Sequence, residues 1–217
     1  MVSVAPLIKQ PVPRPIGEQR VVFRSLTWEG FLAVRRSLSS DRNTRLTYSE
    51  GKLEITMPLE LHEFSARLIE RFIAVLVEEL GLDMKTMGST TLEREVLDRS
   101  AEPDDAYYIQ SHRRVAGREI DLEKDPPPDL VVEVDITHTD IDKLRLYAAM
   151  GVPEFWRYNG ETLRIYQLQG ADYQEVEQSP SFPQVQKTKL YEFLATAKMS
   201  EVSAVRGLRA WVRSTTS

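Results

Sequence analysis

The stretch LVVEVDI, residues 130–136, decides the reading of this chain. A nearly continuous apolar run of this length reads as a strand buried on both faces, the central element of an α/β sheet. Glu133 and Asp135 interrupt it. They stand two residues apart, so they point to the same side of the strand. Burying a lone carboxylate costs several kcal/mol, roughly, even after relaxation. Such a group must be paired, protonated or bound to a cation. Two neighbouring carboxylates repel, and one bound cation relieves both. A structural ion pair between Glu133 and Lys143 or an arginine answers the same demand, and both readings stay open here.

Downstream, Thr139 or Asp140 starts a helix that runs to Met150. Gly151 ends it and Pro153 enforces the stop. Lys143 lies in the first turn, and Tyr147 follows four residues later on the same face. Residues 154–158 and 162–168 read as a strand pair across Asn159-Gly160, a strong hairpin signal. Residues 172–177 add an edge strand, and the tail over 187–212 is mostly helical.

Upstream, Glu102-Pro103-Asp104-Asp105 leads into the aromatic strand at 106–110. Asp105 reads as a solvated neighbour that points away from Asp104. A polar loop or hairpin extension fills 111–128, and short extended pieces fall near 85–92. Residues 59–80 carry apolar side chains at helical spacing, with Gly81 as the natural C′ residue. His62 stands at the start of that helix. Residues 45–48 and 52–56 flank Ser49-Glu50-Gly51 as a hairpin, and Thr27 can cap a short helix containing Trp28 and Phe31. Residues 1–20, with Pro6, Pro11, Pro13 and Pro15, read as an extended N-terminal arm. The order predicts a mixed α/β sheet with helices on both faces, in one domain over 21–217 with a helical C-terminal tail.

The composition narrows the function. There are no cysteines, which excludes disulfides and thiolate metal sites and fits a reducing cytoplasm. The opening segment has no signal-peptide apolar core, and no apolar run reaches the ~18 residues of a membrane span. A net charge of −5 argues against a surface coated in basic residues for nucleic acid. It leaves room for a cluster of carboxylates that holds divalent cations.

If the strand after Asp104 neighbours residues 130–136, Asp104 and Glu133 can share a metal. Asp135 is either a further ligand or a strand-end partner for a backbone donor. Hard oxygen donors suit Mg²⁺ or Mn²⁺ rather than zinc. Lys143, beside such a site, can orient or deprotonate a water and steady phosphoryl charge. Tyr147 and Trp156 read as core residues. Arg113, Arg114 and Arg118 read as a solvated loop.

Several stretches together resemble a known family. Asp104 after Pro103, then PPPDLVVEVDIT, DKLRLYAAMGVPEFWRYNG, LTWEGFLAV at 26–34 and the segment 57–62 look like the Uma-type restriction endonuclease family, within the PD-(D/E)XK nuclease superfamily. The resemblance spans about residues 25–170. It implies a restriction-endonuclease-like fold and a divalent-metal phosphodiesterase site. It also implies that Asp104 and Glu133 bind the metal, that Lys143 is the family's helix lysine, and that His62 lies near the site. The superfamily's usual lysine place, two residues after the second carboxylate, is Asp135 here. The expected function is a Mg-dependent endonuclease acting on DNA, without a membrane and with a homodimer as the expected assembly for cutting both strands. The alternative is a catalytically degenerate nucleic-acid or protein-binding module on the same fold. A two-carboxylate glycosidase is the weakest reading, because no aromatic sugar platform is visible.

Overall fold

The computed structural model describes residues 19–39, 42–136 and 139–216. Residues 1–18 of the expected arm lie outside them. Gln19 and Arg20 already belong to a strand, β1 (Gln19–Phe23). Helix α1 (Trp28–Ser37) follows, capped by the Thr27 side chain, which accepts from the Gly30 N–H. Strands β2 (Arg45–Ser49) and β3 (Lys52–Met57) pair across Glu50 and Gly51, both at positive φ, so the turn matches the strand twist. Helix α2 (Glu60–Glu79) is the long helix expected from the apolar spacing, and Gly81 ends it at φ +66°.

The middle of the chain holds more strands than its sequence pattern signals. They are β4 (Lys85–Thr86), β5 (Leu92–Arg94), β6 (Arg99–Ala101) and β7 (Asp105–Tyr108). The expected loop at 111–128 contains one short helix, α3 (His112–Val115). Then come β8 (Leu130–Val134), α4 (Lys143–Met150), β9 (Glu154–Tyr158), β10 (Leu163–Gln169) and β11 (Asp172–Val176). Two helices, α5 (Lys187–Ala197) and α6 (Glu201–Thr216), complete the described chain. Helix α4 starts later than the expected Thr139 or Asp140. Its cap is Asp142, whose side chain accepts from the Arg145 N–H, so Lys143 is its first residue.

The strands form two sheets, where the sequence reading foresaw one. The larger has the order β11-β10-β9-β8-β7-β4, the smaller β1-β3-β2-β6-β5. Within the larger sheet, β8 and β9 are parallel and joined by α4, a βαβ unit. Strand β8 is buried on both faces, as its composition requires. Leu130, Val132 and Val134 face α2, α5 and α6. Val131 faces the other way, toward Leu146 and Tyr147 of α4. Helix α1 covers Leu46, Tyr48 and Leu53 of the smaller sheet. No helix among the described residues is long and apolar enough to cross a membrane.

The two sheets are joined by three residues. Strand β6 lies in the smaller sheet and β7 in the larger, and only Glu102-Pro103-Asp104 separates them. Glu102 is buried and accepts from the Leu46 N–H at 3.0 Å, which fastens the link to β2. Proline stiffens the crossing by fixing its own φ.

Glu154, at the start of β9, is buried and satisfied by four donors. Trp156 Nε1, Ser179 Oγ, Ser181 Oγ and the Ser181 N–H all reach it, between 2.6 and 2.9 Å. It pins the segment before α5 to the sheet. Glu154→Ala strands those donors, and the expected cost is about 2–3 kcal/mol. Urea midpoints measure it, and Glu154→Gln is expected to recover part of the loss.

Candidate functional site

Both sheets contribute to one crease, and Asp104 sits at its base because the link between the sheets places it there. Strand β7 pairs with β8 antiparallel, with Asp105 opposite Val132. One step further along that register puts Asp104 opposite Glu133. Asp104 Oδ2 accepts from the Val134 N–H at 2.7 Å, and His62 Nε2 from the start of α2 lies 3.1 Å from the same oxygen. Both contacts fall on Oδ2, so Oδ1 is left uncommitted among the described residues.

Glu133 and Asp135 point to the same side, as strand alternation requires, and α4 supplies the answer to their charge. Lys143 Nζ lies 2.7 Å from Glu133 Oε2 and 3.0 Å from Asp135 Oδ1. The ammonium is only 8% exposed. Tyr147, one turn along α4, donates its hydroxyl to Glu133 Oε1. Arg157 of β9 closes the set, with Nε donating to Asp135 Oδ2 at 2.9 Å.

The smaller sheet forms the roof. Arg20, Arg45, Thr47 and Thr56 line the crease together with His62, Asp104, Glu133, Asp135 and Lys143. The space between them is about 20 Å³, room for about one water-sized guest. Glu54 of β3 is buried and accepts from Thr139 Oγ1 at 2.9 Å and from the Asp140 N–H at 2.8 Å. It holds the loop that delivers Lys143.

The acids of this pocket crowd together, with guanidinium groups of Arg20 and Arg45 above them and Arg157 on Asp135. Three carboxylates, Asp104, Glu133 and Asp135, share one buried ammonium. Burial pushes the Glu133 carboxyl up to about 7. Lys143 draws it down, while the charges of Asp104 and Asp135 push it higher. Burial would also raise Asp135, but Lys143 and Arg157 together hold it below the usual range. Burial works against the Lys143 ammonium, yet Asp135, Glu133 and Asp104 raise it well above an ordinary lysine. Lys143 therefore stays protonated. Without a bound metal it stands as a fixed positive charge, suited to orienting a water rather than to taking its proton.

The structure brings all five expected site residues, His62, Asp104, Glu133, Asp135 and Lys143, into one crease. Among the described residues, no three His, Cys, Asp or Glu side chains are grouped to cage a metal ion. Asp105 corrects another expectation. It is buried rather than solvated, accepts from the Ala106 N–H at 2.9 Å, and takes the Tyr107 hydroxyl. Tyr147 combines two roles, because its ring packs 5.1 Å from Phe155 while its hydroxyl serves Glu133. Trp156 lies in the core, as expected. Arg118 pairs with Asp125 on the loop, far along the chain from the carboxylates. Arg20, Arg45, Glu54 and Arg157 were not signalled by the sequence reading. Only the expected alternation of the strands that carry them could have pointed to them.

Two outcomes follow from these charges. A Glu133 carboxyl raised from 4.5 to about 7 binds its proton more tightly in the folded than in the unfolded chain. Its favourable contribution is complete below about 4.5 and is lost as pH rises through about 7. Relative to Glu133→Gln, the metal-free wild type is expected to lose stability between about pH 5 and pH 8, read from urea midpoints. Lys143→Ala leaves buried Glu133 without a cation and Asp135 with Arg157 alone, and is expected to cost about 3–5 kcal/mol. Adding Glu133→Gln is expected to recover part of that loss.

Comparison with known proteins places the chain. The Uma2 family model, described as "Putative restriction endonuclease", matches residues 28–198, well over half of the chain. No curated protein matches. Among solved structures, a "putative nuclease belonging to DUF820" from Anabaena variabilis is similar over 77% of this chain and 98% of its own. The identity is 19% and the TM-score 0.51, so this likeness speaks for the fold. With a restriction-endonuclease-like α/β fold around its acidic crease, the chain belongs to the Uma2 family.

Proposed function

We propose that the crease is the active site of a divalent-metal-dependent endonuclease that hydrolyses phosphodiester bonds of DNA. One observation carries this reading: three carboxylates and one ammonium surround a space for about one water-sized guest. Membership of a family described as restriction endonucleases supports the same class of reaction.

The donor set fits Mg²⁺ or Mn²⁺. Asp104 and Glu133 offer hard oxygens on neighbouring strands, and Asp104 keeps Oδ1 uncommitted. Mg²⁺ usually takes one or two carboxylates, with waters and substrate phosphates completing its shell. A site without three converging protein ligands is consistent with that habit. Zinc fits poorly, because the chain has no cysteine and the described residues of the crease include one histidine. Glu133 and Asp135 both have their two oxygens engaged, but Asp135 is held by two cations, Lys143 and Arg157, whereas Glu133 has one cation and the neutral Tyr147 hydroxyl; Asp135 is therefore the orienting group and Glu133 the ligand.

When bound, the metal would supply a polarised water and neutralise charge on phosphoryl oxygens. The chain's own groups do the rest. His62 and the Val134 N–H orient the Asp104 carboxylate. Tyr147 holds Glu133 in place. Lys143, fixed between Glu133 and Asp135, presents a permanent positive charge to a phosphoryl group gaining negative charge. Thr47, Thr56 and the packed roof limit the water that enters.

A second reading is a non-catalytic nucleic-acid-binding module. It is favoured by the closeness of Lys143 to Glu133, since the ammonium already satisfies one oxygen that a metal would use. One experiment separates the two. Purified protein is incubated with plasmid DNA and Mg²⁺ or Mn²⁺. The wild type is expected to cut, and Asp104→Asn and Glu133→Gln to lose about 10²–10³-fold in rate while keeping native circular dichroism. Absence of metal-dependent cleavage of either DNA or RNA by the wild type would sink the nuclease reading.

A further inference from the structure

The face that carries Glu133 continues beyond the crease. In the parallel pairing of β8 with β9, Glu133 stands opposite Arg157. In the antiparallel pairing of β9 with β10, Arg157 stands opposite Arg164. Across the sheet the row therefore reads Asp104, Glu133, Arg157, Arg164: two acids, then two arginines. Neighbouring strands lie about 4.8 Å apart, so Arg164 stands about 10 Å from Glu133 along the row.

Two like charges directly opposite each other destabilise a sheet unless something compensates them. Arg157 is compensated in part, through Nε on Asp135. Arg164 is exposed; the Tyr166 side chain and the charge of Glu175 steady its guanidinium, and no carboxylate among the described residues lies within ion-pair distance of it. Both arginines line a pocket of about 440 Å³, with Asn159 and Thr162 from the turn between their strands. The turn itself is held firmly, since Asn159 Oδ1 accepts from the N–H groups of Glu161 and Thr162 at 3.0 and 2.7 Å. That leaves the Asn159 amide nitrogen and the Thr162 hydroxyl as donors at the wall. Among the described residues Asp135 is the one acid lining this pocket, and its oxygens are taken by Lys143 and Arg157. A wall of donors with its acid neutralised selects an anion, and paired guanidinium forks match phosphate oxygens. Asp135 also lines the crease, so the two spaces adjoin.

We propose that Arg157 and Arg164, with Asn159 and Thr162, form a phosphate-binding subsite that holds a non-reacting backbone phosphate of a polynucleotide beside the carboxylate crease. The anion site stands on its own geometry. Its assignment to a polynucleotide rests on the nuclease reading of the crease. In that arrangement Asp135 is the joint between the two halves: one oxygen steadies Lys143 in the crease, the other aims Arg157 into the subsite.

Two titrations test this, with Arg164→Ala and Arg164→Lys as variants. Arg164 is exposed, so neither change should disturb folding. First, inorganic phosphate is added in the absence of divalent metal, and the guanidinium Nε–Hε NMR signals are followed. Saturable shifts of Arg157 and Arg164 are expected. Arg164→Ala is expected to abolish the Arg157 response, and Arg164→Lys to weaken it. Second, affinity for a short DNA duplex is measured against salt concentration. The slope of log K against log salt is expected to fall by about 1 in Arg164→Ala. With Mg²⁺, KM should rise several-fold with kcat little changed.

Unmoved arginine signals with an unchanged salt slope would overturn the subsite, even if the wild type cuts DNA. Saturable phosphate shifts in a protein that neither binds nor cuts DNA would keep the anion site. They would overturn its assignment to a polynucleotide and the nuclease reading with it.

Discussion

The ammonium of Lys143 is the contact on which the crease depends. Glu133 and Asp135 face the same way into a crease with room for about one water, and neither could be buried there as an anion without a cation between them. The chain supplies that cation from the first residue of the helix that leaves the strand. Its placement needs several supports. Asp142 caps the helix, Glu54 of the other sheet holds the loop at Thr139 and Asp140, and Gly151 ends the helix at positive φ so that the chain can return as β9. The parallel return brings Arg157 beside Asp135 as the second cation. A βαβ unit, ordinary as architecture, thus delivers two positive charges to two negative ones.

Much of this was legible in the sequence, because a carboxylate inside an apolar run is physically anomalous. Glu133 announced a partner, and the four-residue spacing of Lys143 and Tyr147 placed both on the helix face that meets it. The long helix at Glu60–Glu79 was legible for the usual reason, sustained apolar spacing over several turns. The second sheet was not. Leu92–Arg94 and Arg99–Ala101 are three residues each, too short for alternation to be distinguished from chance. Asp105 was misjudged because its burial comes from tertiary cover, and the Tyr107 hydroxyl that satisfies it lies two residues along the same strand. Arg157 escaped notice because only the register between β8 and β9 places it opposite Glu133, and register is a property of the pair rather than of either strand.

Net charge conceals the local electrostatics. The chain is acidic overall, at −5. Yet Arg20 and Arg45 descend from the roof and Arg157 stands at the side, so the acids of the crease are rimmed by guanidinium groups. An acidic centre within a basic rim has a purpose that a uniform surface lacks. On the nuclease function proposed above, the rim would attract a polyanion and the centre a small cation, with low-dielectric walls focusing both fields.

The link Glu102-Pro103-Asp104 has one more consequence. It ties a side chain of the crease to the covalent joint between two sheets. Asp104 cannot drift from Glu133 without breaking strand register on one side, or from the roof without straining a proline-stiffened crossing on the other. The separation of the two carboxylates is thereby gauged by backbone geometry rather than by side-chain packing. A chain built this way can vary its surface loops and helix faces widely while the gap between its acids stays the same.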